Sequence, residues 1–406
     1  MMHFISMLAL AVVALTTAVH SNVRAVGAAE PSGSFVKLPL HQMQVRSSLS
    51  KRQTSVPVDT EDLGLVYIVD GLSERSKASC LRLSRYDPLN STTARIRDES
   101  FNITYGTGSS MGPYFTDDFR IGSLVAKNAS FGVAAATVDC EAGILGIGPK
   151  RAESAGTVVE ALTTQGQINS HVYALDLKPV DETGSIVLGG IDTKKYKSLT
   201  KVRTDRFRSY LTQLAITLPN KTSTEFDPAI WRGNNSNGLP VLFDMGTPTN
   251  LLPNALYFAI GSLYPDAMSY DSGHGWPAFK VPCDAPHGSF DYTFDNVTIK
   301  VSLKDSLHKN PKINICSFGF TLGPQDSGRI PFILGDSFMR GAYMVFDLDN
   351  DEIWMGETAD CGSNIVPVGK GKDAVPVVPG CGSGAGTESK PTQTGYVPPP
   401  AFTAMK

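Results

Sequence analysis

The chain has 406 residues, of which 41% are hydrophobic, 18% charged and 9% aromatic, enough apolar material for a sizeable core and for two lobes, so a disordered or collagen-like protein is excluded. Basic residues number 36 against 39 acidic ones, a net charge of −3, and this balance carries no electrostatic footprint for nucleic acid or an anionic membrane. Plentiful Gly (38) and Pro (26) beside a low charged fraction favour strands and turns over long helices.

At the start, residues 4–19 form one apolar run, too short and too terminal for a membrane span and suited to the core of a signal peptide over 1–21. Only His3 stands for a charged leader, and no A-x-A cleavage site follows, so a retained anchor is the alternative. Residues 22–52 are polar and end in Lys51-Arg52, a dibasic step that predicts a propeptide released by a processing convertase; an ordinary exposed basic pair is the bland reading.

From about residue 64 to 365, short β-rich runs such as SFGVAAATV, GSIVLGGID, LTQLAITL, NVTIKVSL and AYMVFDL alternate with Gly, Pro, Asn and Asp clusters, which predicts a sheet-rich fold. Helical signals are few and short, chiefly Gly156–Thr164 and Pro253–Leu263. Ile144-Leu145-Gly146 and Ile333-Leu334-Gly335 recur 189 residues apart, a sign of two related lobes. Residues 366–406, with Pro398–Pro400 and a Gly/Ser stretch near Gly382, read as a mobile tail. It lacks the terminal apolar segment of a GPI signal.

Six N-x-[ST] sequons stand at Asn90, Asn102, Asn128, Asn220, Asn234 and Asn296, as on a glycosylated extracellular surface. Six cysteines without a C-x-x-C pair suit disulfides of an oxidising compartment better than zinc. Their spacing allows Cys80 with Cys140 and Cys361 with Cys381, although sequence leaves connectivity open.

Chemistry concentrates in Val241-Leu242-Phe243-Asp244-Met245-Gly246-Thr247, where an apolar strand delivers a carboxylate to a glycine turn. An Asp at a strand end is most often a turn former, so the surrounding motifs decide. Ile103-Thr104-Tyr105-Gly106-Thr107-Gly108-Ser109 resembles the flap of pepsin-like aspartic endopeptidases, and Gly143–Gly148 the strand behind their first active-site loop. Gly184–Asp192 is similar to the segment before the lobe crossover, and Phe332–Arg340 through Tyr343–Asp347 to the last long motif. The dibasic step, sequons and extra cysteines resemble most the secreted fungal yapsin and candidapepsin branch.

The resemblance implies a mainly β, bilobal fold with two pseudo-symmetric β lobes and a cleft between them, here 53–197 and 198–365. It implies a Cys283–Cys316 disulfide, extended peptide or protein substrates, and no metal or organic cofactor. Two carboxylates share a proton in that family, because closely spaced carboxylates do not both ionise cheaply; one activates water while the other polarises the carbonyl. Carried over by residue, Asp244 is the catalytic carboxylate of the C-terminal lobe. Tyr105, Gly106, Thr107, Gly246 and Thr247 contact substrate. The expected protein is a monomer, secreted or routed to the cell surface or vacuole, with no membrane attachment after signal removal.

Two departures touch the chemistry. No D-T-G precedes Tyr105, so the N-terminal lobe lacks its first active-site loop. Asp59-Thr60-Glu61 lies 46 residues before Tyr105 but has Glu61 for the glycine, and Asp70-Gly71 follows a Val66–Val69 strand only 35 residues before Tyr105. Neither matches the pattern in full, and Asp70 is retained as the substitute candidate. Joining Tyr67–Asp70 directly to the stretch after the active-site loop leaves roughly 25–30 residues missing against the family motif order; a true deletion and a misplaced splice junction both give this result. In the second loop Met245 stands where the family has a Thr whose hydroxyl bonds across the dyad. The chain therefore reads as an aspartic endopeptidase by family, with a peptide-binding pseudoprotease and a structural secreted glycoprotein as alternatives.

Rival motifs are weak. Gly108-x-Ser110-x-Gly112 has no helical run after it. Asp347-x-Asp349-x-Asp351 has Glu352 at the glycine position and Thr358 at the bidentate position of a calcium loop. No H-E-x-x-H occurs.

Overall fold

The structure is a computed structural model that describes residues 12–13, 35–40, 86, 88–105, 109–121, 124–138, 144–149, 156–179, 182–205, 208–232, 235–263, 268–271, 277–283, 288–310, 315–323 and 332–382. It is mainly β, as the strand-and-turn pattern predicts.

A six-stranded antiparallel sheet is the platform. Its order is Thr200–Val202, Glu352–Glu357, Ala342–Asp347, Val172–Asp176, Gly184–Leu188, Val36–Leu40. These strands read as continuous apolar runs because both faces are covered. Tyr173, Leu175, Ile186, Leu188, Met344 and Phe346 face the main core. Val172, Ala174, Val187, Tyr343, Val345 and Trp354 face a second apolar layer.

That second layer is closed by the segment after residue 364. Ile365–Pro367 pairs with Gly190–Asp192, and Val368, Ala374 and Val375 are buried against the sheet's outer face. Cys381 N donates to Tyr196 O at 2.7 Å, Tyr196 Oη donates to Val378 O at 3.0 Å, and a disulfide joins Cys361 to Cys381. The mobile tail expected from residue 366 thus has an ordered beginning that runs to 382. Val36–Leu40, inside the expected propeptide, is likewise an integral strand, tied by Lys37 Nζ to Asp192 Oδ2 at 2.8 Å.

In the C-terminal half, a larger sheet runs Val297–Ser302, Ser289–Phe294, Arg208–Thr217, Leu239–Phe243, Phe332–Leu334, Asn250–Leu252, Phe320–Leu322. Leu239–Phe243 is central, wholly apolar and buried except for half-buried Pro240, as befits a strand with neighbours on both sides. Beside it, four strands from Met268 to Phe318 carry the Cys283–Cys316 disulfide. In the N-terminal half, Arg95–Thr104, Ser109–Ile121 and Leu124–Gly132 form an antiparallel sheet, with Ala136–Val138 also paired to the second strand. Gly112 is required there: a Cβ would sit 2.0 Å from Val133 O.

Helices are short. Val158–Thr164 is capped by Thr157, whose hydroxyl accepts from Glu160 N at 3.1 Å, the pairing a T-x-x-E sequence encodes. Asn254–Ser262 begins after Pro253. Among the described residues no helix is long and apolar enough to cross a membrane. Cys80 and Cys140, with Lys51 and Arg52, lie outside the described residues.

Candidate active site

Asp244 sits at the end of the central strand Leu239–Phe243. That strand is antiparallel to Arg208–Thr217 and parallel to Phe332–Leu334, and Asp244 N extends the second ladder by donating to Leu334 O at 3.1 Å. The chain then turns sharply, with Thr247 N donating to Asp244 O at 3.1 Å. Both carboxylate oxygens are engaged by the turn: Gly246 N donates to Oδ1 at 2.9 Å and Thr247 Oγ1 to Oδ2 at 2.8 Å. Asp244 is only 6% exposed. Burial pushes its pKa up to about 6, while the bonds from Thr247 and Gly246 pull in the opposite direction.

The Ile333–Met339 segment buttresses this loop from behind. Asp336 N donates to Thr247 O at 2.9 Å, Ser337 Oγ to Pro248 O at 3.0 Å, and Gly335 N to Asn250 Oδ1 at 2.9 Å. Asn250 Nδ2 in turn donates to Tyr292 Oη at 3.1 Å. Gly335 admits no side chain, since a Cβ would lie 2.0 Å from Thr247 O and 2.6 Å from Thr249 O.

Three partners of Asp244 escaped sequence reasoning. Thr247, expected to contact substrate, bonds the carboxylate itself. Asp336, 2% exposed, is pushed up to about 7 by burial and secondarily by Asp244, against the pull of Arg340; its Oδ1 has no hydrogen-bond partner among the described residues. Tyr173, stacked on Phe346 at 5.0 Å, is held in its neutral phenol form by burial and by the charge of Asp244. The repeated I-L-G tripeptide was the available signal for the buttress, but a carboxyl's burial is invisible in sequence.

The other expected site residues are dispersed. Tyr105 is half-buried at the end of Arg95–Thr104, in a different sheet from Asp244. Gly106, Thr107, Asp59 and Asp70 lie outside the described residues. Met245 is buried in the main core, and Gly246 is exposed. Asn90, Asn102, Asn128, Asn220 and Asn296 are all exposed, and Asn234 lies outside the described residues.

The repeated tripeptide exposes an asymmetry between the halves. Phe243 pairs in parallel with Leu334, and the next residue is Asp244. Its counterpart Leu145 is paired instead, antiparallel, with Val13, and Gly146 with Val12. Gly335 is in tight contact with the Asp244 loop, whereas a Cβ on Gly146 would meet nothing within 4 Å. No carboxylate is delivered beside Leu145 among the described residues.

A family model described as eukaryotic aspartyl protease matches residues 49–358. The chain is 30% identical over 329 residues to the probable aspartic-type endopeptidase opsB of Aspergillus fumigatus, covering 75% of this chain and 66% of that protein. It is 31% identical to the protein of that name from Aspergillus oryzae, covering 73% and 64% respectively. The chain thus spans just under two thirds of the length of these two relatives. Candidapepsin-2 of Candida parapsilosis is 31% identical over 330 residues, 78% of this chain and 74% of that one. Among solved structures, the aspartic proteinase from Irpex lacteus superposes with a TM-score of 0.53 at 20% identity, covering 73% of this chain and 87% of its own; that likeness concerns the fold.

Proposed function

The chain belongs to the eukaryotic aspartyl protease family, and from that premise we propose that it is a secreted endopeptidase-type protein that binds extended peptides and in which Asp244 is one of the two catalytic carboxylates. The observation that carries this reading is the state of Asp244: buried, bonded through both oxygens, and raised to about 6. In the proposed reaction an ionised carboxylate takes a proton from water as the water oxygen attacks the peptide carbonyl carbon. The partner carboxyl gives its proton to the carbonyl oxygen; the C–N bond then breaks as the first carboxyl hands its proton to the nitrogen and the partner takes one back from a diol hydroxyl. Each step needs two carboxyl groups, so hydrolysis requires an acid from the first loop, for which Asp70 is the candidate, or a loop restored between residues 53 and 80. General acid–base work contributes about 10²–10⁴-fold, which sets the scale of the loss when one carboxylate is missing.

The absence of a D-T-G before Tyr105 in the sequence supports a second reading, a pseudoprotease that holds peptide without cutting. Secretion is part of both readings, and the sequons and cysteines support it; after processing at Lys51-Arg52 by a convertase, the Val36–Leu40 strand would stay on the platform through its pairing with Gly184–Leu188 and the Lys37–Asp192 ion pair. One experiment separates the two: cleavage of an extended apolar peptide at pH 3–5 by the secreted protein and its Asp244→Asn variant, with calorimetric binding in parallel. Cleavage abolished by the substitution and by a statine-type inhibitor supports the enzyme. Binding without cleavage supports the pseudoprotease, and neither binding nor cleavage defeats both.

A further inference from the structure

The outer face of the N-terminal hairpin exposes two large apolar side chains, Met111 and Val138, among polar ones. Register places Asn102 opposite Met111 and Met111 opposite Ala136, in one row across three strands. The next row is Thr104, Ser109 and Val138. Phe101, Ser110 and Thr137 alternate with these residues and are buried, so Asn102, Thr104, Met111 and Val138 share the face that points away from the core. Met111 is 47% exposed and Val138 59%.

Asn102-Ile103-Thr104 is a sequon, and its asparagine and threonine both lie on this open face. The exposed sequons at Asn220 and Asn296 lie in chain reversals, next to Lys221 and Asp295 with their positive φ angles of 67° and 49°. Asn102 instead stands within a sheet, directly beside an exposed apolar side chain.

We propose that Asn102 carries an N-linked oligosaccharide whose first sugars lie across Met111 towards Val138, a cover for the outer face of the hairpin. The proposal rests on the secretory route proposed above. The modification forms a bond between Asn102 Nδ2 and the anomeric carbon of a polyprenyl-pyrophosphate-linked oligosaccharide. The donor's glycosyl–pyrophosphate bond breaks, and polyprenyl pyrophosphate leaves with the displaced amide proton. Strands are spaced by about 4.8 Å, so Met111 is one strand away and Val138 two, within reach of a pair of sugar rings. The C–H faces of those rings are the chemistry that suits a thioether and an isopropyl group. Exposed apolar side chains become an aggregation hazard where they gather, and the attached sugar covers these two without a partner protein.

The test uses the full chain secreted from a eukaryotic host. Glycopeptide mapping is expected to find sugar on Asn102. Dilute peroxide is expected to oxidise Met111 at least about threefold faster after enzymatic removal of sugar from the folded protein, and in Asn102→Gln, since thioether oxidation follows exposure. The buried Met339, Met344 and Met355 report that the fold is intact in each sample. A bare Asn102 on a protein glycosylated at other sequons overturns the proposal, as do equal Met111 oxidation rates with and without sugar. A protein bare at all six sequons overturns it together with the secretory route, a result distinct from the other two.

Discussion

Thr247 holds Asp244 from both ends of the turn: its hydroxyl donates to Asp244 Oδ2 at 2.8 Å and its amide to Asp244 O at 3.1 Å. The same residue's carbonyl accepts from Asp336 N at 2.9 Å, so one threonine links the carboxylate to the segment behind it.

Removing only the hydroxyl isolates that link. In Thr247→Val, Oδ2 loses a donor that favours its charged form, so Asp244 titrates higher than about 6. A hydrogen bond to a charged group is worth about 1.5–3 kcal/mol, and urea unfolding at pH 7 should show a loss of that order. Titration of the carboxyl carbon by NMR reads the pKa directly; an unchanged midpoint would show that the bond does not govern the acidity.

Gly335 and Gly146 should respond oppositely to alanine. At Gly335 a Cβ collides with the carbonyls of Thr247 and Thr249, which are backbone atoms with little freedom to move, so Gly335→Ala is expected to lower stability by about 3 kcal/mol or more, the range of severe overpacking. Gly146→Ala meets open space and should leave the thermal midpoint within about 2 °C, as for a substitution without a steric mechanism. The pair of melting curves also reads the missing loop. If a longer transcript restores it, Gly146→Ala acquires the same neighbours as Gly335→Ala and its tolerance disappears.

The stability of the folded chain should fall as pH rises from about 4 to about 7. Burial raises Asp336 to about 7 and Asp244 to about 6 from an ordinary 3.8. The folded state therefore binds more protons than the unfolded chain across that interval, and the stabilisation present at acid pH is lost as pH climbs through the folded values. Asp360, held at about 2 chiefly by Lys195, and Asp192 and Asp117, lowered by hydrogen bonds against their burial, act in the opposite sense and limit stability only in stronger acid. Asp336→Asn removes the largest of the raised groups near the site. Its melting temperature should change less between pH 4 and 7.5 than that of the wild type; parallel curves would assign the pH dependence elsewhere.

How much of this was legible follows from which interactions are local. The Leu239–Phe243 strand and its acid end are written in a short apolar run followed by Asp and Gly, and the Thr157 cap in its T-x-x-E spacing. The segment 366–382 read as a tail because glycine, proline and lysine dilute its apolar residues. Val368, Ala374 and Val375 acquire meaning only against Tyr196 and Trp354, far away in sequence. Asp336 looked like one letter of a motif, since its burial and orphaned oxygen arise from tertiary packing alone.

Lys37 ties the edge strand to the platform through a buried acid. Asp192 Oδ2 accepts from Lys37 Nζ at 2.8 Å and Ser363 Oγ at 2.6 Å, and Oδ1 from Asn364 N at 2.8 Å. Lys37→Met keeps the packing stem but leaves a buried carboxylate without its cation. Breaking such a pair costs about 3–5 kcal/mol when nothing compensates, and the remaining donors here should hold the loss to about half that. Chemical denaturation at pH 7 and pH 3 checks it, because the deficit should shrink as Asp192 is protonated.

The six-stranded platform also sets the order in which the chain is able to fold. Tyr173 and Leu175 are hydrogen-bonding neighbours of Phe346 and Met344, partners that leave the ribosome some 170 residues later at roughly 5–20 residues per second. Until then the Val172–Asp176 and Gly184–Leu188 strands have each other and Val36–Leu40 but no partner on their far edge. Closure of this sheet is therefore a late event of high contact order, slow in the manner of non-local β pairing. The unpaired edge of Val172–Asp176 is the surface on which a nascent chain would depend on chaperones.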